Sequence, residues 1–191
     1  MKALIDFNAY LQSLDDSDVS DDLEVSFPGP MSMAAIQRVE AVIGCPLPQS
    51  LRDFLAQTGP FISGHFGDFW NTIKVFDSET MLESPSGIID HIDWQWGGRP
   101  ELADALTIEQ MATLNARYKV FGTRCIDDNR YDYLFFSVDG GFYSLPLDQD
   151  DMDACIAWLL GSISASPVGR SLAELIEQQL SALKHDIEDD L

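Results

Sequence analysis

The stretch Tyr131-Asp132-Tyr133-Leu134-Phe135-Phe136-Ser137-Val138-Asp139-Gly140-Gly141-Phe142-Tyr143-Ser144-Leu145 decides the fold. Two aromatic-rich runs flank Asp139-Gly140-Gly141, a turn sequence that favours backbone conformations closed to most side chains. They predict an antiparallel hairpin with strands over 131–138 and 142–145. Just upstream, Tyr118 to Gly122 reads as another strand. Further back, Phe69 to Phe76 alternates with period two: Trp70, Thr72, Lys74 and Phe76 point one way, Phe69, Asn71, Ile73 and Val75 the other.

On both sides of this strand-rich centre the period changes to that of a helix. Phe7, Tyr10, Leu11 and Leu14 share one face of a short first helix. After the break Phe27-Pro28-Gly29-Pro30, Ser32 is placed to cap a helix reaching Ile43, with Ile36, Val39, Glu40 and Ile43 in helical register and Gly44 to end it. Pro48 opens the next helix, which presents Leu51, Phe54 and Leu55 and stops at Thr58-Gly59-Pro60. Thr107 predicts a cap for a helix to Arg117 with the stripe Ile108, Met111, Leu114. Two more follow, on Met152, Cys155, Ile156, Leu159 and Leu160, then on Leu172, Leu175, Ile176, Gln179, Leu180 and Leu183. Helices, then strands, then helices predict an α+β fold, a central and mainly antiparallel sheet of roughly four to six strands flanked by helices.

Charge narrows the function. Among 191 residues, 32 are acidic and 11 basic, a net charge of −21. Such a chain repels phosphate backbones and anionic membrane surfaces, so neither nucleic acid nor membrane is an expected partner. A cationic partner is drawn in instead. The acid is concentrated in two places: residues 1–30 carry seven acids and one base, and residues 125–155 carry eight acids against Arg130 alone. Cys45, Cys125 and Cys155 are too scattered for a disulfide framework or a metal site. No secretory or membrane-spanning run is legible, and the chain reads as reduced and cytoplasmic.

Two segments in this order resemble the SUKH superfamily, the SMI1/KNR4 domain. Ile36-Gln37-Arg38-Val39-Glu40 through Gly44, then Leu47-Pro48-Gln49-Ser50-Leu51-Arg52-Asp53-Phe54-Leu55, is similar to that family's opening pair of helices. Val120-Phe121-Gly122, Tyr131 to Phe136 and Asp139-Gly140-Gly141-Phe142-Tyr143 are similar to its strands, and Ser171 to Ile176 to its closing helix. The likeness runs from about residue 32 to 183. Thr58-Gly59-Pro60 departs from the family's usual Asn-Gly, and residues 84–106 and 147–169 look longer than its norm. The resemblance implies an SMI1/KNR4-like domain over 31–191, preceded by an acidic N-terminal extension over 1–30 with a short helix. For a bacterial chain it implies a non-catalytic immunity protein that binds and silences a cognate toxin, often a nuclease. For a fungal chain it implies a regulatory interaction scaffold.

No enzyme chemistry is legible. An EF-hand loop begun at Asp148 needs Gly at its sixth position and Glu at its twelfth, but Asp153 and Leu159 stand there; one begun at Asp16 meets Asp21 and Phe27. His65, His91 and His185 are dispersed, and Gly161-Ser162-Ile163-Ser164-Ala165 lacks the second glycine of a nucleophile elbow. No metal and no cofactor is expected, and a hydrolase working through carboxylates ranks last. The acids Asp127, Asp128, Asp132, Asp148, Asp150, Asp151 and Asp153 are the densest within the matched region and are expected to steer a cationic toxin. Asp150, Asp151 and Asp153 also suit the first turn of the following helix. Trp94 and Trp96, two apart, are expected to share one face of a strand, either as core or as an aromatic anchor for the partner.

Overall fold

The structure, a computed structural model, describes residues 2–14, 23–66 and 70–190. Phe69 and the acids Asp15, Asp16, Asp18, Asp21 and Asp22 lie outside the described residues. Strands β1 (Leu23–Ser26), β2 (Phe61–Phe66), β3 (Trp70–Val75), β4 (Tyr118–Cys125), β5 (Arg130–Ser137) and β6 (Phe142–Asp148) lie side by side in sequence order. Every neighbouring pair is antiparallel. The α+β architecture therefore holds, with the sheet a six-stranded meander.

The Asp139-Gly140-Gly141 turn closes as its composition requires. Gly140 takes φ +99°, its N–H donates to Ser137 O at 2.8 Å, and Ser137 N donates to Gly141 O at 2.8 Å. This sets Phe136 opposite Phe142 and, at the far end, Arg130 opposite Asp148. Between β4 and β5 a register shift at Val120/Gly122 changes which side chains of β4 face inward.

Alternation along each strand then sorts the side chains into two layers. Tyr133 and Phe135 share a face with Leu145 and Tyr143 of β6 and with Tyr118 of β4. Helices α5 (Ile88–Trp96), α7 (Ile108–Arg117) and α8 (Asp153–Ser164) cover it. The Trp158 ring on α8 meets those of Phe135, Tyr118 and Tyr143 at 5.3, 5.5 and 6.1 Å. On the opposite face lie Phe61, Ile73, Val75, Leu134 and Phe136, all buried. It receives α1 (Lys2–Ser13) through an Asn8–Ser63 hydrogen bond of 3.0 Å, α3 (Gln49–Gln57) through the edge of Phe54 on Phe61, and α9 (Leu172–Asp190). The segment expected to be an extension thus adds α1 to this core, with Leu4, Phe7 and Leu11 buried, and β1 to this sheet.

Helix α2 (Met33–Ile43) forms as its caps dictate: Ser32 Oγ accepts from Ala35 N, and Gly44 ends it at φ +77°. Thr107 and Gln110 make a reciprocal capping box at the start of α7. Two details differ from expectation. Ile108, assigned to the apolar stripe of α7, is 83% exposed, because it lies in the first turn on the solvent side and Leu114 alone of the stripe is fully buried. Helices α4 (Ser78–Glu83) and α6 (Pro100–Ala105) are too short for periodicity to show, and they fill the long connection between β3 and β4.

Candidate functional site

The hairpin register brings two acidic loops to one end of the sheet. The β4–β5 turn is shaped by Asp127, whose Oδ1 accepts from the backbone N–H of Asn129 and of Arg130, both at 2.8 Å. Its Oδ2 pairs with Arg130 Nε at 2.6 Å. Burial pushes the Asp127 carboxyl up, but these hydrogen bonds and the Arg130 charge outweigh it and hold the group below the ordinary carboxylate value.

The β6–α8 loop is built the same way. Asp148 Oδ1 accepts from Asp150 N at 2.9 Å, and Asp151 Oδ1 from Asp153 N at 3.0 Å. The two loops are then tied together: Gln149 N donates to Asn129 O at 3.0 Å, Gln149 Nε2 to Asp128 O at 3.1 Å, and Asn129 Nδ2 to Asp150 Oδ2 at 3.4 Å. From the far side Arg99 Nη2 donates to Gln149 O at 2.7 Å. Asp127, Asp128, Asp148 and Asp150 thereby line one concavity of about 330 Å³, together with Asn129 and Arg130. Its one cation, Arg130, is already paired. A fixed array of carboxylates of this kind sets up a local negative field at one end of the sheet.

Not every predicted residue belongs here. Asp151 and Asp153 are exposed beside the rim, and only Asp153 lies within α8; Asp150 and Asp151 precede it, spent on the loop rather than on the helix dipole. Asp132 points away. Strand alternation sends it to the opposite face, where it lies 3.4 Å from Arg124 Nε, and Asp186 of α9 lies 3.4 Å from Arg124 Nη2. Burial raises the Asp132 carboxyl above its ordinary value, against the pull of Arg124 and a hydrogen bond from Gln179, while Asp186 adds to the rise. Asp132 is therefore an interior group holding α9 to the sheet and leaves the steering set.

Trp94 and Trp96 lie on helix α5, not on a strand, so their side chains diverge by about 200°. Ile88, Ile89 and Ile92 form the buried stripe of that helix, and Gly97, at φ +71°, ends it. Trp96 packs its ring against Tyr131 at 5.1 Å and donates through Nε1 to Tyr133 Oη at 2.7 Å, which holds it, partly buried, against the core. Trp94 remains 55% exposed, its ring tilted at 53° to that of the buried His91 with centroids 5.4 Å apart. It stands five residues before Arg99, the residue at the start of α6 that bonds to the β6–α8 loop.

Arg99, Asn129 and Gln149, which lock the loops together, escaped the sequence reading. So did Arg124, whose inward position follows only once the bulge in β4 is counted. Burial holds Cys125 above its ordinary value and pushes Cys155 up to about 12. Among the described residues no group of three His, Cys, Asp or Glu could hold a metal ion, and no helix is long and apolar enough to cross a membrane.

A comparison with curated proteins returned no match. A family model described as SMI1 / KNR4 family (SUKH-1) matches residues 30–178, from just before α2 into α9, spanning the whole of β2 to β6 and both acidic loops. With that span and a helix-flanked antiparallel sheet, the chain belongs to the SMI1/KNR4 (SUKH-1) family.

Proposed function

We propose that this chain is an immunity-type protein, non-catalytic and acting in the cytoplasm, which binds a cognate cationic toxin of nuclease type and keeps it from its substrate. Membership of the SUKH-1 family supports a protein partner. The observation that carries the reading is the joining of the two acidic loops around one concavity, with Asp128 and Asp150 exposed, Asp148 half-exposed, and Arg130, the cation of the lining, paired with Asp127. A nuclease must present a cationic surface to hold phosphates. Carboxylates fixed at such spacing can stand where those phosphates would, with Asp151 and Asp153 extending the negative field. The net charge of −21 adds long-range attraction, which raises association rates by about 10- to 10³-fold and fades as salt shortens the screening length. Charge alone discriminates poorly, so Trp94 supplies the apolar contact that fixes register.

The test is protection. The partner is recovered by affinity purification from the native host, identified by mass spectrometry, and expressed in a sensitive cell with and without this chain. The reading requires a toxic partner whose effect this chain abolishes. A harmless partner, or a toxic one that still kills in its presence, overturns it.

A further inference from the structure

A second concave surface lies away from the acidic loops, between α1, α3 and α9. It encloses about 420 Å³, inside the range of about 300–1,000 Å³ typical of ligand clefts. Its apolar lining comes from Phe54 of α3 and from Leu172, Ala173 and Ile176 of α9. Asp53 and Glu177 stand on opposite walls, and among the described residues neither is in an ion pair; Asp53 only accepts a hydrogen bond from the neutral Gln49 amide at 2.7 Å. The single cation of the lining is Lys2. Thr58 Oγ1, also at this surface, is buried with no hydrogen-bond partner among the described residues. The groove's lining comes from α1, α3 and α9 and shares no residue with the concavity between the β4–β5 and β6–α8 loops, so the two are separate surfaces.

We infer that this groove docks a short segment of a protein partner in which apolar side chains are flanked by lysine or arginine. The apolar floor takes the anchors, as helix-lined grooves do. The two carboxylates on facing walls select basic flanks, in keeping with the sign of the whole molecule. The same surface excludes acidic segments, which would set like charges at Asp53 and Glu177. The inference is independent of the toxin reading, since it concerns another face.

The experiment uses the full chain, labelled for amide NMR and titrated with the acetylated, amidated tetrapeptide Lys-Leu-Leu-Lys. The comparison peptides are Glu-Leu-Leu-Glu and Lys-Gly-Gly-Lys. Saturable shifts are expected at Ser50 to Thr58 and Leu172 to Glu177, with both comparison peptides at least about threefold weaker. Ala173→Trp, at an exposed position of the groove, should abolish those shifts. The double variant Asp53→Asn, Glu177→Gln should weaken binding by about threefold to tenfold while retaining amide dispersion, so the charge argument stands or falls even if Ala173→Trp misfolds. Equal binding of the acidic peptide, binding that survives the double variant, or shifts confined to the 127–150 loops would each overturn the inference. So would concentration-dependent shifts at the groove without peptide, which would make a second copy of this chain the occupant.

Discussion

Replacing Arg124 by methionine is the most informative change to the scaffold. The residue is 6% exposed and its guanidinium faces Asp132 and Asp186, each at 3.4 Å, while among the described residues its Nε and Nη1 make no hydrogen bond. The cluster is thus one cation held by Coulomb attraction between two carboxylates. Methionine fills the space of the stem but leaves both carboxylates without a counter-charge. Removing one partner of a buried ion pair costs about 3–5 kcal/mol. Asp186, whose side chain is 31% exposed, can turn toward water and recover part of that, so a loss of about 2–4 kcal/mol is expected. In urea unfolding at pH 7 this moves the midpoint down by about 1–2 M if the denaturant slope is about 2 kcal/mol/M. The pH dependence follows from the same geometry. Without Arg124 the Asp132 carboxyl rises further above its unfolded value, so the folded protein binds its proton more tightly than the unfolded chain does. Stability then falls as pH rises through that window, and the deficit is largest at neutral pH and shrinks on acidification. A deficit under about 1 kcal/mol, or one that grows toward acid, would falsify the assignment of a charged cluster here.

Three further outcomes follow from individual positions. Asp132→Asn removes a carboxyl already raised by burial, so its stability relative to the parent should climb as pH rises above the ordinary aspartate range, by no more than about 1.4 kcal/mol per pH unit; a flat or falling difference in urea midpoints contradicts the burial argument. Gly59→Ala should destabilise by more than about 2 kcal/mol, because at φ +89° its Cβ would sit 2.0 Å from Gly29 O, whereas Gly140→Ala at φ +99° in open space should lose only about 1–2 kcal/mol; thermal melts that rank them the other way refute the close approach. Thr107→Ala breaks the α7 capping box and should cost about 1 kcal/mol, checked by the same melts.

Features decided by neighbours in sequence were legible, and features decided by neighbours in space were not. The Gly140 turn, the Ser32 and Thr107 caps and the Gly44 stop each depend on a few consecutive residues, and the structure contains each of them. Strands β1 and β2 were not foreseen. Leu23 to Ser26 is four residues long, and β2 contains Gly64, a poor strand former by propensity. Its presence makes sense only in the sheet, where a Cβ would lie 2.2 Å from Asn71 O of β3. The Trp94/Trp96 spacing suggested a strand because alternation over three residues cannot be told from part of a helix. The stripe Ile88, Ile89, Ile92 and the stop at Gly97 settle it. At the candidate site the density of acid was visible, but not its sidedness. Asp132 was counted with the loop acids although period-two alternation sets it on the face of Leu134 and Phe136, opposite Arg124 in the β4–β5 register. The meeting of Asp127 with Asp148 depends on the pairing of Arg130 with Asp148 at the end of the hairpin, a consequence of register that follows from the turn once it is fixed.

The most direct test of electrostatic capture is the association rate of this chain with the partner recovered from its host, measured by stopped flow from low to high ionic strength. The triple variant Asp128→Asn, Asp148→Asn, Asp150→Asn neutralises the rim, while Asp127, which shapes its own turn and pairs with Arg130, is left in place. The parent is expected to associate at least about tenfold faster than the variant at low salt, the two to converge as salt rises, and their dissociation rates to differ less than their association rates. Parent and variant rates that coincide at every salt concentration, with the fold of the variant intact, would contradict electrostatic capture.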